Sequence, residues 1–213
     1  MSALELAQSL IKIKSISPED GGCFDLIEAE LIPFGFQIEK IAELNCETLL
    51  AKYGDSGKVF CYLGHTDVVP SGPEEEWTSH PFEANIVDGN LIGRGAADMK
   101  GSVAVFIESI KKFLTDNPDP NFQIWVMLTS NEEGEPADGK INTLMESLTN
   151  QNQFIDYCLV GEASSSDSVG DVLRVGRRGS LSGKLKLIGK QGHVAYPQKV
   201  LSPILEVGPI IDE

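Results

Sequence analysis

The chain has 213 residues, 41% of them hydrophobic and 23% charged, with Lys+Arg 17 against Asp+Glu 32 for a formal charge of −15 at pH 7. That length suits one sizeable domain, or one domain and part of another. So negative a surface repels phosphate backbones and anionic lipid, which argues against nucleic-acid and membrane roles.

In chain order, "ALELAQSLIKI" carries apolar residues at helical spacing, and "CFDLIEAELIPF" repeats the pattern after the turn "SPEDGG". "FQIEKIA", "TLLAKYG" and "KVFCYLG" read as three strands with short polar breaks. A Pro- and Gly-rich loop runs from about His65 to Phe82, and "NLIGRG" reads as a short strand. "MKGSVAVFIESIKKFLTDNP" predicts a helix with Met99, Val103, Phe106, Ile110, Phe113 and Leu114 on one face, ended by Asn117-Pro118. "FQIWVMLTS" predicts a buried strand, "INTLMESLTN" a helix and "FIDYCLVG" another buried strand. Strands alternating with helices indicate an α/β fold around a largely parallel or mixed sheet. Past "DVLRVGRRG" the pattern changes: "SLSGKLKLIG" alternates as a half-exposed antiparallel strand would, and "VLSPILEVGPIIDE" is apolar. This places a domain boundary near Arg177, with residues 178–213 too short for an independent core.

The four cysteines, Cys23, Cys46, Cys61 and Cys158, form no CxxC pair, and Cys61 and Cys158 sit in apolar runs that predict buried free thiols. The N-terminal stretch lacks a basic region followed by a long apolar one, and no run reaches membrane-span length. A reducing cytoplasm fits these features best.

Four apolar runs end in groups able to hold a metal or a proton. "CYLG" leads into His65-Thr66-Asp67, "LIGRGAA" into Asp98, "WVMLTSN" into Glu132-Glu133 and "YCLVG" into Glu162. In open α/β sheets ligands gather beyond the carboxyl ends of strands. Brought together there, the carboxylates would repel one another unless some protonate or a divalent cation joins them. Histidine plus carboxylates with open positions suits Zn²⁺, with Mn²⁺ or Co²⁺ as substitutes. Asp67, two residues past His65 on an extended segment, faces the same way and can orient the imidazole. Of the adjacent glutamates, one can bind metal while the other accepts a proton from water whose pKa the metal lowers from about 15.7 to about 7. Singly, each residue also has a plainer reading: His65 as a turn residue, Asp98 as the cap of a helix beginning at Met99, and Glu132, Glu133 and Glu162 as solvated loop acids. His80 in "TSHPF" reads as an ordinary loop histidine. There is no P-loop, HExxH or GxSxG motif, and "GRGAAD" has Asp98 where a dinucleotide fingerprint needs glycine.

"GHTDVVP", "GRGAADMKG", "TSNEEG", "VGEAS", "GRRGSL" and "GHVAYP", in this order and spacing, resemble the dinuclear-zinc M20 metallopeptidase family. The resemblance runs from "LAQSLIKIKSISPEDGGC" to about Pro197. It implies a zinc-peptidase-like catalytic domain, a mixed sheet flanked by helices, over residues 1–177. Residues 178–213 would begin a smaller α+β dimerisation domain. "GRRGSL" with "GHVAYP" points to hydrolysis of the amide in N-succinyl-LL-2,6-diaminopimelate, releasing succinate, in cytoplasmic lysine and diaminopimelate biosynthesis. Acetylornithine deacetylation, or another M20 amide hydrolysis, is the alternative.

By this resemblance His65 and Glu162 would bind one zinc, and Asp98 would bridge to a second that Glu133 also holds; Co²⁺ could substitute. Asp67 would be the catalytic aspartate behind His65, and Glu132 the general base. His193 would polarise the scissile carbonyl in the partner subunit's site of a homodimer, and Arg178, Ser180 and Tyr196 would lie near the substrate. Read without the family, His193 is a surface histidine in a Gly-His turn. The chain departs from the family pattern at Asn131, where Asp is usual, and at Ala163, where Pro is usual. The family's chain also continues into a segment carrying the second zinc's histidine. These residues by themselves are therefore expected to hold at most one zinc, to be inactive, and to expose apolar sheet surface. The reading from another class is a non-catalytic fragment acting by association.

Overall fold

The computed structural model describes residues 1–43, 46–134, 139–176, 179, 181 and 183–212. Two compact units result, Met1–Asp171 and Val172–Glu213.

In the first unit, α1 (Ala3–Lys12) starts at a capping box in which the Ser2 and Glu5 side chains each accept the other's backbone N–H. Leu6, Ala7, Leu10 and Ile11 are its buried face. Before α2 (Cys23–Leu31) the buried Asp20 carboxylate accepts the N–H groups of Gly22 and Phe24, serving donors that a helix start leaves open. There follow β1 (Gln37–Glu43), β2 (Cys46–Tyr53), β3 (Val59–His65), β4 (Asn85–Val87), β5 (Asn90–Ile92), α3 (Gly101–Asp116), β6 (Gln123–Thr129), α4 (Gly139–Asn150) and β7 (Tyr157–Val160).

The sheet is mixed, in the order β1-β2-β6-β3-β7. β1 with β2 and β2 with β6 are antiparallel, whereas β6 with β3 and β3 with β7 are parallel. β6 is central, which explains its unbroken apolar run. Its alternate residues Ile124, Val126 and Leu128 face the core shared with α1, α2 and α3, while Trp125 and Met127 meet Leu144 and Leu148 of α4. The expected fold class, a mixed sheet flanked by helices, is the one found.

Several local expectations differ. β7 is an edge strand among the described residues and all four of its residues are exposed, because β3 alone pairs with it. Apolar content predicts burial only when a neighbour covers the strand. Cys158 is exposed for the same reason, while Cys23, Cys46 and Cys61 are buried as free thiols. β4 was not anticipated; it forms a hairpin with β5 through Asp88-Gly89, both at positive φ, the turn chemistry that two-residue hairpins favour. α3 begins at Gly101 with Lys100 as its N-cap, and Asp98 and Met99 have non-helical backbone angles, so Asp98 does not cap this helix. On α3 the buried face is Val103, Ala104, Ile107, Ile110 and Leu114, with Phe113 at its margin.

The second unit contains an antiparallel bridge between Lys190 and Leu201 and the helix α5 (Pro203–Asp212). The expected strand over "SLSGKLKLIG" is not formed at its described residues; the bridge at Lys190 lies just past it. The domain boundary expected near Arg177 lies outside the described residues. No helix among the described residues is long and apolar enough to cross a membrane.

Candidate metal centre

β3, β6 and β7 run the same way, with His65 opposite Thr129 and Leu63 opposite Val160, so their carboxyl ends meet at one end of the sheet. His65 closes β3, the turn holding Glu132 and Glu133 follows β6, and Glu162 follows β7. Asp98 arrives on the segment leading into α3.

His65 is almost wholly buried and its two ring nitrogens have separate tasks. Nδ1 lies 3.0 Å from the Asp67 carbonyl oxygen, which can only accept, so Nδ1 carries a proton. Nε2 lies 3.0 Å from Asp98 Oδ1 and 3.4 Å from Glu162 Oε1. Without a cation, Nε2 must also be protonated to face two carboxylates. Burial pushes the imidazole pKa down, but Asp67 and then Glu162 outweigh it and raise it to about 9. A divalent cation can take that proton's place, bringing its own positive charge to the same oxygens.

Asp67 is fully buried; its backbone carbonyl rather than its carboxylate takes the ring's hydrogen bond, the carboxylate Oδ1 lying 3.5 Å from Nδ1. Oδ1 accepts the Glu132 N–H at 3.0 Å, Oδ2 accepts the Glu133 N–H at 3.0 Å, and the Ser17 hydroxyl donates to Oδ2. One carboxylate thus fixes the turn that presents both glutamates. Burial raises its pKa, but His65, Ser17 and the two N–H groups prevail and hold it below the ordinary value. The Glu133 carboxyl is raised, first by burial and then by the charge of Asp98.

Two sets of ligand atoms lie within 4.8 Å of one another: His65 with Asp98 and Glu162, and His65 with Glu132 and Glu133. Imidazole nitrogen plus carboxylate oxygen is a donor set that fits a divalent cation. All five candidates, from four separate stretches of the chain, converge with Asp67 beside them. His80 bonds Glu74 at 3.2 Å and accepts the Phe82 N–H, as a loop histidine does. His193 and Tyr196 lie in the second unit, their rings 5.9 Å apart and both exposed, with His193 Nδ1 accepting the Ala195 N–H. Arg178 and Ser180 are outside the described residues.

Sequence reading gave no role to the segment before α2. Ser15 and Ser17 run alongside Thr66–Val68: the Ser15 hydroxyl donates to the Thr66 carbonyl, Val68 N–H to Ser15, and Ser17 N–H to Val68. Ser130 ties the end of β6 to the same segment through the Pro18 carbonyl. Lys100, fully buried, donates to the Leu10 and Ile13 carbonyls and so anchors the Asp98 segment to the end of α1. A serine in a turn and a lysine after an apolar residue carry no local signal of such contacts.

A mixed α/β sheet that delivers one histidine and several carboxylates to the meeting ends of parallel strands defines the metallopeptidase-like class of fold and site. The chain belongs to peptidase family M20/M25/M40, whose family model matches residues 61–202. It is 47% identical over 210 residues to succinyl-diaminopimelate desuccinylase of Methylobacillus flagellatus, covering 99% of this chain and 56% of that protein. To the protein of that name in Stenotrophomonas maltophilia it is 48% identical over 214 residues, covering 100% of this chain and 57% of the relative. The chain thus spans about half the length of the relatives it matches. Among solved structures, an M20 family metallo-carboxypeptidase of Sulfolobus solfataricus shares the fold at a TM-score of 0.65 and 24% identity, over 76% of this chain and 38% of that one. A tripeptidase of Staphylococcus aureus does so at 0.63 and 15%, over 99% and 55%.

Proposed function

We propose that this chain carries the metal-binding half of a zinc-dependent amide hydrolase that releases succinate from N-succinyl-LL-2,6-diaminopimelate in diaminopimelate and lysine biosynthesis. The observation that carries the hydrolase reading is His65 Nε2 facing Asp98 and Glu162 at 3.0 and 3.4 Å where three parallel strands end. The choice of substrate rests on the names of the relatives.

In this reading His65 and Glu162 hold one zinc, Asp98 bridges to a second, and Glu133 joins Asp98 there; the charge of Asp98 felt by Glu133 supports their sharing a cation. Co²⁺ is the expected substitute. Zinc so bound supplies Lewis acidity that makes water a nucleophile at neutral pH. Glu132 accepts a proton from water at its carboxylate and returns it to the amide nitrogen as the C–N bond breaks and the amine leaves. Asp67 keeps the His65 ring and the Glu132-Glu133 turn in register. His193 is assigned to the scissile carbonyl across a homodimer, and Arg178, Ser180 and Tyr196 to substrate contacts. Residues 1–177 then belong to the catalytic domain and 178–213 to the dimerisation domain. Four free cysteines suit a cytoplasmic setting.

The test compares this chain with a version extended to the length of the relatives, each supplied with Zn²⁺. The extended protein is expected to release succinate from the proposed substrate faster than acetate from N-acetylornithine. The reverse preference would overturn the substrate assignment and leave the hydrolase; no amide cleavage at all would overturn both.

A further inference from the structure

Cys61 of β3 and Cys158 of β7 are direct partners in the parallel pairing of those strands. Adjacent strands lie about 4.8 Å apart with paired side chains on one face, and disulfides join Cα atoms ~4.4–6.8 Å apart. The Cys61 thiol donates to the Tyr62 carbonyl oxygen at 3.5 Å. The surroundings of the two thiols differ. Cys61 is fully buried in the cluster with Val59, Trp125 and Leu144, whereas Cys158 is exposed on the edge strand. The neighbouring Cys61 thiol holds the Cys158 thiol below its ordinary pKa, while Cys158 and then burial keep the proton on Cys61. An exposed, acidified thiol beside a protonated, buried one is the pairing of a reactive and a resolving cysteine.

We propose that Cys61 and Cys158 form a reversible thiol–disulfide couple, with Cys158 attacking a hydroperoxide and Cys61 resolving the product. In the first step Cys158 Sγ attacks one peroxide oxygen, the O–O bond breaks, and hydroxide leaves to become water. Cys158 is then a sulfenic acid. Cys61 Sγ attacks Cys158 Sγ, the S–O bond breaks, and the departing hydroxide takes the Cys61 proton as a second water. Two thiols and one hydrogen peroxide thus yield one disulfide and two waters, sulfur losing the two electrons that oxygen gains. An external dithiol reverses the reaction. The bond would tie together the strands whose ends carry His65 and Glu162. Cys23 and Cys46 are buried, and burial first of all pushes the Cys23 thiol up to about 11, so neither competes.

The purified 213-residue chain, with chelator present, is treated with one equivalent of hydrogen peroxide, then digested without reduction and mapped by mass spectrometry. One peptide pair joined through Cys61 and Cys158 is expected, vanishing with dithiothreitol. In Cys61→Ser the oxidation should stop at a Cys158 sulfenic acid that dimedone traps. In Cys158→Ser peroxide consumption should fall by roughly tenfold or more. Cys61 remaining free to alkylation in the oxidised, then unfolded, wild-type chain would overturn the proposal, as would a Cys158 disulfide formed only between chains. Because the wild-type map needs no variant, a misfolded serine mutant leaves the test decisive.

Discussion

His65 and Asp67 tie the site to pH through opposite shifts. The His65 pKa is raised from 6.5 to about 9, so in metal-free protein its contribution to stability is complete below 6.5 and is lost as pH rises toward 9. Asp67 is lowered from 3.8, so its contribution is complete above that value and is lost as pH falls through the lower native one. Urea midpoints measured with chelator should therefore be highest between about pH 4 and 6.5. His65→Gln should flatten the alkaline limb, which corresponds to ~3 kcal/mol at most. An alkaline limb that survives this substitution would assign it to another group. Division of labour between the two glutamates is tested on the extended protein. Glu132→Ala should retain its metal and lose about 10²–10⁴-fold in turnover, whereas Glu133→Ala should lose metal. Equal depletion of both variants by metal analysis would show that both are ligands.

Among the elements, β7 is where packing meets the site. A Cβ on Gly161 would come within 2.0 Å of the Tyr62 hydroxyl and 2.6 Å of Met99 Cε. Tyr62 cannot give way easily, since its ring stacks on Phe106 at 4.1 Å and its hydroxyl bonds Ser102. Gly161→Ala should therefore push the β7 end, and Glu162 with it, away from His65. The expected loss is about 1–3 kcal/mol of stability and roughly 10–100-fold in cation affinity, read by urea unfolding and chelator competition. Stability lost with affinity unchanged would mean that Glu162 does not hold the ion.

At the scale of the whole molecule, both ligand sets draw on the one imidazole of His65. A single nitrogen lone pair serves one ion, so the 213-residue chain should take up one Zn²⁺ tightly and a second at least ~100-fold more weakly, the latter relying on carboxylates alone. Calorimetric titration with metal analysis checks this, and two ions of equal affinity would refute it. The first unit also leaves Phe154, Tyr157, Leu159 and Val160 between 45% and 61% exposed. Beside them opens an apolar cleft of about 510 Å³ lined by Phe60, Ile110, Phe113, Phe122, Ile124 and Tyr157. An apolar edge strand of this kind is an association surface. Sedimentation should show concentration-dependent self-association, reduced in Leu159→Lys; a monomer at every concentration would count against it.

Hydrophobic spacing is a local property, and it sufficed for α1 to α4, for β1 to β3 and for the doubly buried β6. The same run of residues exposed the recurrence of acids and His65 at strand ends, because ligand and strand are neighbours in the chain. What the tertiary structure alone decided involves partners far apart. It set β6 between β2 and β3, left β7 at the edge, and so brought Cys158 opposite Cys61. It joined the Asp67 carboxylate to the N–H of Glu132, 65 residues away, and laid the Ser15–Ser17 segment against Thr66–Val68. Such pairings follow from covering apolar faces and satisfying buried polar groups throughout the unit at once, and no window of local sequence contains that condition.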